Sequence, residues 1–255
     1  MGTTRENGSL YTKIEHKVAT VEFGHPASNS FVAELLDRLT AEINGLSTNT
    51  DITVIVLRSE GDSAFCGGAS FDELIAITNL DEGKDFFSGF ANVINAMRNC
   101  KKIIIGRVQG KTVGGGVGLA SACDYVFASE NASIRLSELS IGIAPLVIAP
   151  AVERKIGKAA LAEMSLSPTE WKNAYWAKEK GLFAKVFSSQ KELDKELEFY
   201  AQKLSGYNPD ALSEWKKVLW EGTENWDQLL AERAAVTGTL VLSEFTKNAL
   251  SKFKK

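Results

Sequence analysis

The sequence predicts an α/β core followed by a purely helical segment. Strand-like and helix-like stretches alternate up to Phe187, and from Lys191 onward every stretch reads as helix, a succession that fits an α/β layer with helices appended. The runs Ile52–Leu57 and Ile103–Ile105 are continuously apolar, as strands buried on both faces are.

In chain order, Tyr11–Glu15 and Val18–Phe23 alternate apolar and polar residues, which predicts paired strands. Gly24–Ser28 reads as a turn. Phe31, Leu35, Leu36, Leu39 and Ile43 keep helical spacing, with Asn29 or Ser30 expected as N-cap. After the strand Ile52–Leu57, Ser59–Ala69 reads as a loop. Phe71–Ile77 and Asp81–Cys100 read as helices, the second with Phe86, Phe87, Phe90, Val93, Ile94 and Met97 on its inner side. Tyr125–Ala128, Ser133–Leu136 and Ala184–Phe187 read as strands. Ala149–Ile156 and Ala159–Ser165 read as helices, and Ser167-Pro168 is expected to start another, with proline at its first position. The C-terminal helices break near Gly206–Pro209 and Gly222. No internal repeat shows.

Composition narrows the function classes. A 255-residue chain that is 44% hydrophobic and 24% charged has enough apolar content for a large core. A net charge of −3 gives no basic footprint for nucleic acid, and no apolar run is long enough to span a membrane. Met1–Leu10 lacks the layout of a signal peptide. Cys66, Cys100 and Cys123 lie far apart, so free thiols and a cytoplasmic setting are expected, with no metal site. The two histidines, His16 and His25, sit near the first strands and make a Ser-His-Asp triad or a histidine-rich metal centre an unfavourable reading. Lys252–Lys255 is a short basic tail.

Chemistry concentrates in Lys102–Leu119, where a strand runs into Gly114-Gly115-Gly116 and a small-residue helix. Glycine permits close backbone approach, and a helix start presents unpaired N–H groups to an anionic oxygen. Tight helix packing without a ligand is one reading. A dinucleotide loop is another, with Glu138 as its acidic partner, but Leu119 or Ser121 stands where the third glycine belongs. A phosphate-binding P-loop is excluded, since no Gly-Lys-Ser/Thr follows. The third reading pairs this loop with Ala64-Phe65-Cys66-Gly67-Gly68-Ala69-Ser70, which also runs from a strand into a helix. Two such loops aim two N–H groups at one point, an oxyanion hole; for a thioester the stabilised charge is an enolate oxygen.

Phe65-Cys66-Gly67-Gly68-Ala69-Ser70, Val108-Gln109-Gly110 followed by Gly114-Gly115-Gly116, the pair Cys123-Asp124, and Glu138 with Gly142-Ile143 together resemble the crotonase (enoyl-CoA hydratase/isomerase) superfamily. The resemblance runs over nearly the whole chain, to Phe245 and Phe253. It implies a spiral of ββα units: a core over 1–190 that binds acyl-CoA, and a C-terminal helical segment over 191–255 that builds homotrimers, often paired into hexamers. It implies an oxyanion hole from the N–H groups of Ala69 and Gly115. Coenzyme A would lie along Cys66, Gly67, Gly68, Ala69, Ser70 and Phe71, and past Gly114 and Gly115, with adenine near Ala69, Ser70 and Phe71. Lysines near the C-terminus would meet its phosphates. It implies no separate cofactor, since coenzyme A is part of the substrate, and a setting in lipid or branched-chain amino-acid breakdown.

The departure from that pattern that bears most on the chemistry is at Gly118. Hydratases of the superfamily carry two glutamates; the first falls on Gly118 here and the second on Glu138. Hydration divides its work between two carboxylates, whereas a proton shuttle along the acyl chain needs one. The resemblance therefore implies an enzyme acting on an unsaturated acyl-CoA with Glu138 as acid/base, either an isomerase or a hydratase with one acid/base group. Apolar Leu136, Leu139, Ile141 and Ile143 around Glu138 predict burial and a raised pKa. Leu146 stands where the dehalogenase and dienoyl-isomerase branches have a working aspartate. Asp72 and Glu73 are further carboxylates near the first loop, more simply read as a solvated helix face. Asp124 reads as structural, and Trp171, Trp176, Trp215, Trp220 and Trp226 as packing residues. A non-catalytic coenzyme A-binding scaffold is the competing class.

Overall fold

The computed structural model describes residues 7–252; Phe253, the rest of the basic tail, and the first six residues of Met1–Leu10 lie outside them. β1 (Ser9–Glu15) and β2 (Val18–Gly24) form an antiparallel hairpin whose turn residues, His16 and Lys17, both have positive φ. α1 (Ala33–Thr48) follows. β3 (Val54–Ser59) and β4 (Ala64–Cys66) lead into α2 (Phe71–Ala76) and α3 (Leu80–Asn99). β5 (Ile103–Val108) and β6 (Lys111–Val113) lead into α4 (Gly115–Ala122), and β7 (Tyr125–Ser129) and β8 (Ser133–Arg135) into a 3₁₀ turn, Glu138–Ile141, and α5 (Ala149–Leu166). The motif is thus strand, strand, helix, repeated. β9 (Lys172–Asn173), α6 (Ala174–Glu179) and β10 (Lys185–Phe187) close the sheets before α7 (Gln190–Ser205), α8 (Pro209–Leu219), α9 (Trp226–Val241) and α10 (Glu244–Ser251).

Successive units feed two sheets. One has the order β1-β2-β3-β5-β7-β10, parallel except for β1; the other is β4-β6-β8-β9, parallel except for β9. β3 is buried on both faces, as its unbroken apolar run predicts: Ile55 and Leu57 enter the main core, while Val54 and Val56 enter a second cluster beneath α7. Arg107 on β5 is buried and bonds Asp194 of α7 through two oxygens, at 2.5 and 3.0 Å, which ties α7 to the sheet.

Three expectations need correction. β4 and β6 fall where the sequence reads as loop; three-residue strands are too short to show a period of two. Asn29 and Ser30 do not cap α1. The Asn29 amide donates to the carbonyls of Glu60 and Ala64 at 2.8 and 2.9 Å, and the Ser30 hydroxyl donates to Ala27 O at 2.6 Å. The helix-start N–H of Ala33 is satisfied instead by the distant Glu73 carboxylate at 2.8 Å. Ser167-Pro168 starts no helix either, because Lys172 and Asn173 are drawn into pairing with β8, and Asn173 then caps α6 by accepting from Trp176 N at 2.8 Å. The break between the two halves of α5 is as expected, at Gly157 with φ +75°.

α3 and α9 pack against each other with Gly83 and Gly238 at the crossing. A Cβ on Gly238 would lie 2.6 Å from the backbone nitrogen of Lys84. The two helices therefore meet backbone to backbone, and they form the back of the cavity described next.

Candidate active site

β4, β6 and β8 lie side by side and parallel, so their C-terminal ends come together at one edge of the small sheet. After β4, Phe31 N donates to Gly68 O at 2.8 Å and Ser70 N donates to Phe31 O at 2.8 Å. The groups on either side of Ala69 thus face Phe31. Alternation along an extended backbone turns the N–H of Ala69 the other way, toward the cleft that Ala69 lines. Gly68 makes the bend with φ +96°.

After β6, Gly114 takes φ +51° and ψ −117°, a conformation reserved for glycine. Its N–H donates to Arg135 O at 2.9 Å, and its carbonyl accepts from Val117 N and Gly118 N, which starts α4. Gly115 is the first residue of that helix, so its N–H has no partner within it. Side chains would not fit here: a Cβ on Gly115 would meet the Phe90 ring, and one on Gly116 would meet Cys66.

After β8, the 3₁₀ turn places Glu138 against the glycine loop. A Cβ on Gly114 would stand 2.8 Å from Glu138 Oε1, so the missing side chain is what lets the carboxyl approach. Glu138 Oε2 is buried with no hydrogen-bond partner. Burial pushes the carboxyl pKa up to about 7, against smaller opposing effects of its own backbone N–H and the Arg135 charge.

The three loop ends open on one cleft with about 590 Å³ of atom-free space. Gly67, Gly68, Ala69, Phe71, Gly114, Gly115 and Glu138 all line it. Cys66 and Ser70 do not. Cys66 is buried, accepts from Gly68 N at 3.3 Å, and burial pushes its thiol up to about 12. Ser70 caps α2, accepting from Glu73 N at 3.4 Å. The remaining wall is largely apolar, with Leu74, Phe87, Phe90, Ile141, Leu146 and Ile148 among its side chains; besides Glu138, Ser137 and Thr237 are the only lining residues, among those described, that carry side-chain oxygens. Phe87 and Phe90 lie on the inner face that helical spacing gives α3. Thr237 and Ile148 escape sequence reading, since neither belongs to a motif.

The other carboxylates work elsewhere. Glu73 caps α1. Asp124 accepts from Trp220 Nε1 at 2.7 Å, from Ile104 N at 2.8 Å and from Lys216 Nζ at 3.0 Å. Gly118 has no room for a side chain, because a Cβ there would stand 2.7 Å from Ile148 Cβ. Among the described residues no helix is long and apolar enough to cross a membrane.

Residues 13–252 match the sequence pattern of the enoyl-CoA hydratase/isomerase family. The chain belongs to that family. As a member, it is 29% identical over 222 residues to the peroxisomal Delta(3,5)-Delta(2,4)-dienoyl-CoA isomerase of Arabidopsis thaliana, covering 82% of this chain and 79% of the relative. It is 29% identical over 221 residues to the 2,3-dehydroadipyl-CoA hydratase of Escherichia coli, covering 84% and 83%. The crystal structure of an enoyl-CoA hydratase from Bacillus halodurans superposes with a TM-score of 0.88 at 21% identity, over 95% of this chain and 99% of that one, which establishes the shared crotonase fold.

Proposed function

We propose that this family member moves the double bond of an unsaturated acyl-CoA, with Glu138 as the only proton carrier. One observation carries the reading: among the described residues a single carboxylate, one oxygen buried and unpaired, lines a cleft that is otherwise almost wholly apolar. The N–H groups of Ala69 and Gly115 hold the thioester oxygen. The Glu138 carboxylate takes a proton from C2 of a 3-enoyl thioester; the electrons move onto the oxygen as a dienolate, and the same carboxyl returns the proton to C4, leaving a 2-enoyl thioester. No atom is gained or lost, and no water is needed. Oriented N–H donors stabilise the charge where it develops. A carboxyl titrating near 7 suits both taking and returning a proton. Relatives include an isomerase and a hydratase by name, so kinship alone does not choose between the reactions. The closed space at Gly118 and the apolar Leu146 favour the one-carboxylate reaction. Gly67, Gly68 and Phe71 border the path of the coenzyme A arm.

The test follows a 3-enoyl-CoA and crotonyl-CoA in deuterated water by mass spectrometry. The expected result is a 2-enoyl product with no water added, and a rate lowered roughly 10²–10⁴-fold in Glu138→Ala. Full activity in that variant sinks the reading. Tight acyl-CoA binding with neither turnover nor deuterium uptake would establish a non-catalytic scaffold instead.

A further inference from the structure

One side chain, Ile148, fills the cleft wall beside Gly118. Gly118 stands three residues after Gly115 on α4, so the two lie on one face, a helical turn apart. The space a side chain at 118 would take is filled by Ile148, whose Cγ2 comes closer to it than its Cβ does. Ile148 is 4% exposed and lines the cleft. It directly precedes α5, and its carbonyl accepts from Val152 N at 3.1 Å. A β-branched side chain at such an anchored position has little freedom to swing away.

We propose that Ile148 is a specificity-determining residue that confines the cleft to acyl chains unbranched at C2 and C3. The inference rests on the reading that the thioester oxygen sits at Ala69 and Gly115. From there C2 and C3 run along the wall one turn beyond Gly115, where the Ile148 side chain takes the volume a methyl branch would need. Close-packed walls resist added methyl groups. A void left by shortening the residue would be apolar, and such voids accept apolar groups.

The test measures binding, independent of turnover. Calorimetry gives the affinities of butanoyl-CoA, 2-methylbutanoyl-CoA, 3-methylbutanoyl-CoA and coenzyme A for the wild type, Ile148→Val, Ile148→Ala and the double variant Gly118→Ala/Ile148→Ala. The wild type is expected to favour the straight chain by roughly 10-fold or more, the scale of one methyl group in an apolar pocket. Ile148→Ala should bring the ratio to within about 3-fold of unity, since that step is worth a similar transfer term. The methyl group added by Gly118→Ala should restore part of the selectivity in the double variant. Ile148→Val keeps the test open if the larger truncation does not fold, and should move the ratio the same way. A folded Ile148→Ala with wild-type affinity for coenzyme A and an unchanged ratio overturns the proposal, as does a wild type indifferent to branching. If no double-bond migration occurs while butanoyl-CoA still binds, the catalytic reading falls and the ratio still decides the role of Ile148. If the acyl group adds nothing to coenzyme A binding, both fall.

Discussion

Glu138 links proton uptake to folding. An unfolded glutamate titrates near 4.5 and the folded one near 7. Between those values the folded chain holds a proton that the unfolded chain has released, so stability falls as pH rises from about 4.5 to about 7 and is level above. At 1.36 kcal/mol per pKa unit, the loss is about 3 kcal/mol. Thermal unfolding of Glu138→Gln should therefore match the wild type at pH 4 and exceed it at pH 8; an unchanged difference across that range would show that the carboxyl does not titrate as described. In the proposed reaction the charged form is the base, so the rate of proton removal should climb with pH and level off above about 7. Stability given up at a site for the sake of reactivity is a common trade. The apolar neighbours of Glu138 made the enclosure of its carboxyl legible in the sequence, though for an incomplete reason. Leu139 is 39% exposed, and the carboxyl is enclosed by its contact with Gly114, twenty-four residues away, which no local pattern encodes.

Among elements, the long periodic ones were readable and the short ones were not. α1, α3 and the wholly buried β3 carry enough residues for a period, or its absence, to register. β4, β6 and β9 owe their existence to neighbours in the small sheet. Capping failed where a tertiary partner outbid the local one: Asn29 was taken by the carbonyls of Glu60 and Ala64, leaving Glu73 to serve α1. Asp124 shows how elements are joined at the other end of the core. It links the start of β5 through Ile104 N, and α8 with its following turn through Lys216 and Trp220 Nε1, while its carbonyl accepts from Lys155 of α5 at 2.8 Å. The Asp124 and Lys216 side chains are 2% and 3% exposed. Asp124→Ala leaves a buried ammonium without its counter-charge and should cost about 3–5 kcal/mol in denaturant unfolding; a loss under about 1 kcal/mol would mean that water replaces the pair.

Across the whole molecule, the contact of α3 with α9 brings the C-terminal helices to the site, because Thr237 of α9 lines the cleft beside Phe87 and Phe90 of α3. Gly238→Ala forces a methyl group onto the backbone at Gly83 and Lys84. It should destabilise by about 1–3 kcal/mol, read as a lowered Tm, and weaken acyl-CoA binding in the same variant. A lowered Tm with undiminished affinity would separate the helix crossing from the cleft. The small sheet has a larger consequence. Ala69 follows β4, Gly115 follows β6 and Glu138 follows β8, so each successive winding of the chain delivers one part of the proposed site to the same edge. In the proposed reaction, anion holder and proton carrier are thereby separately replaceable: a new reactive group grafted after one strand would inherit the other two parts already in place. Such a scaffold diversifies by exchanging single loops while its windings stay fixed.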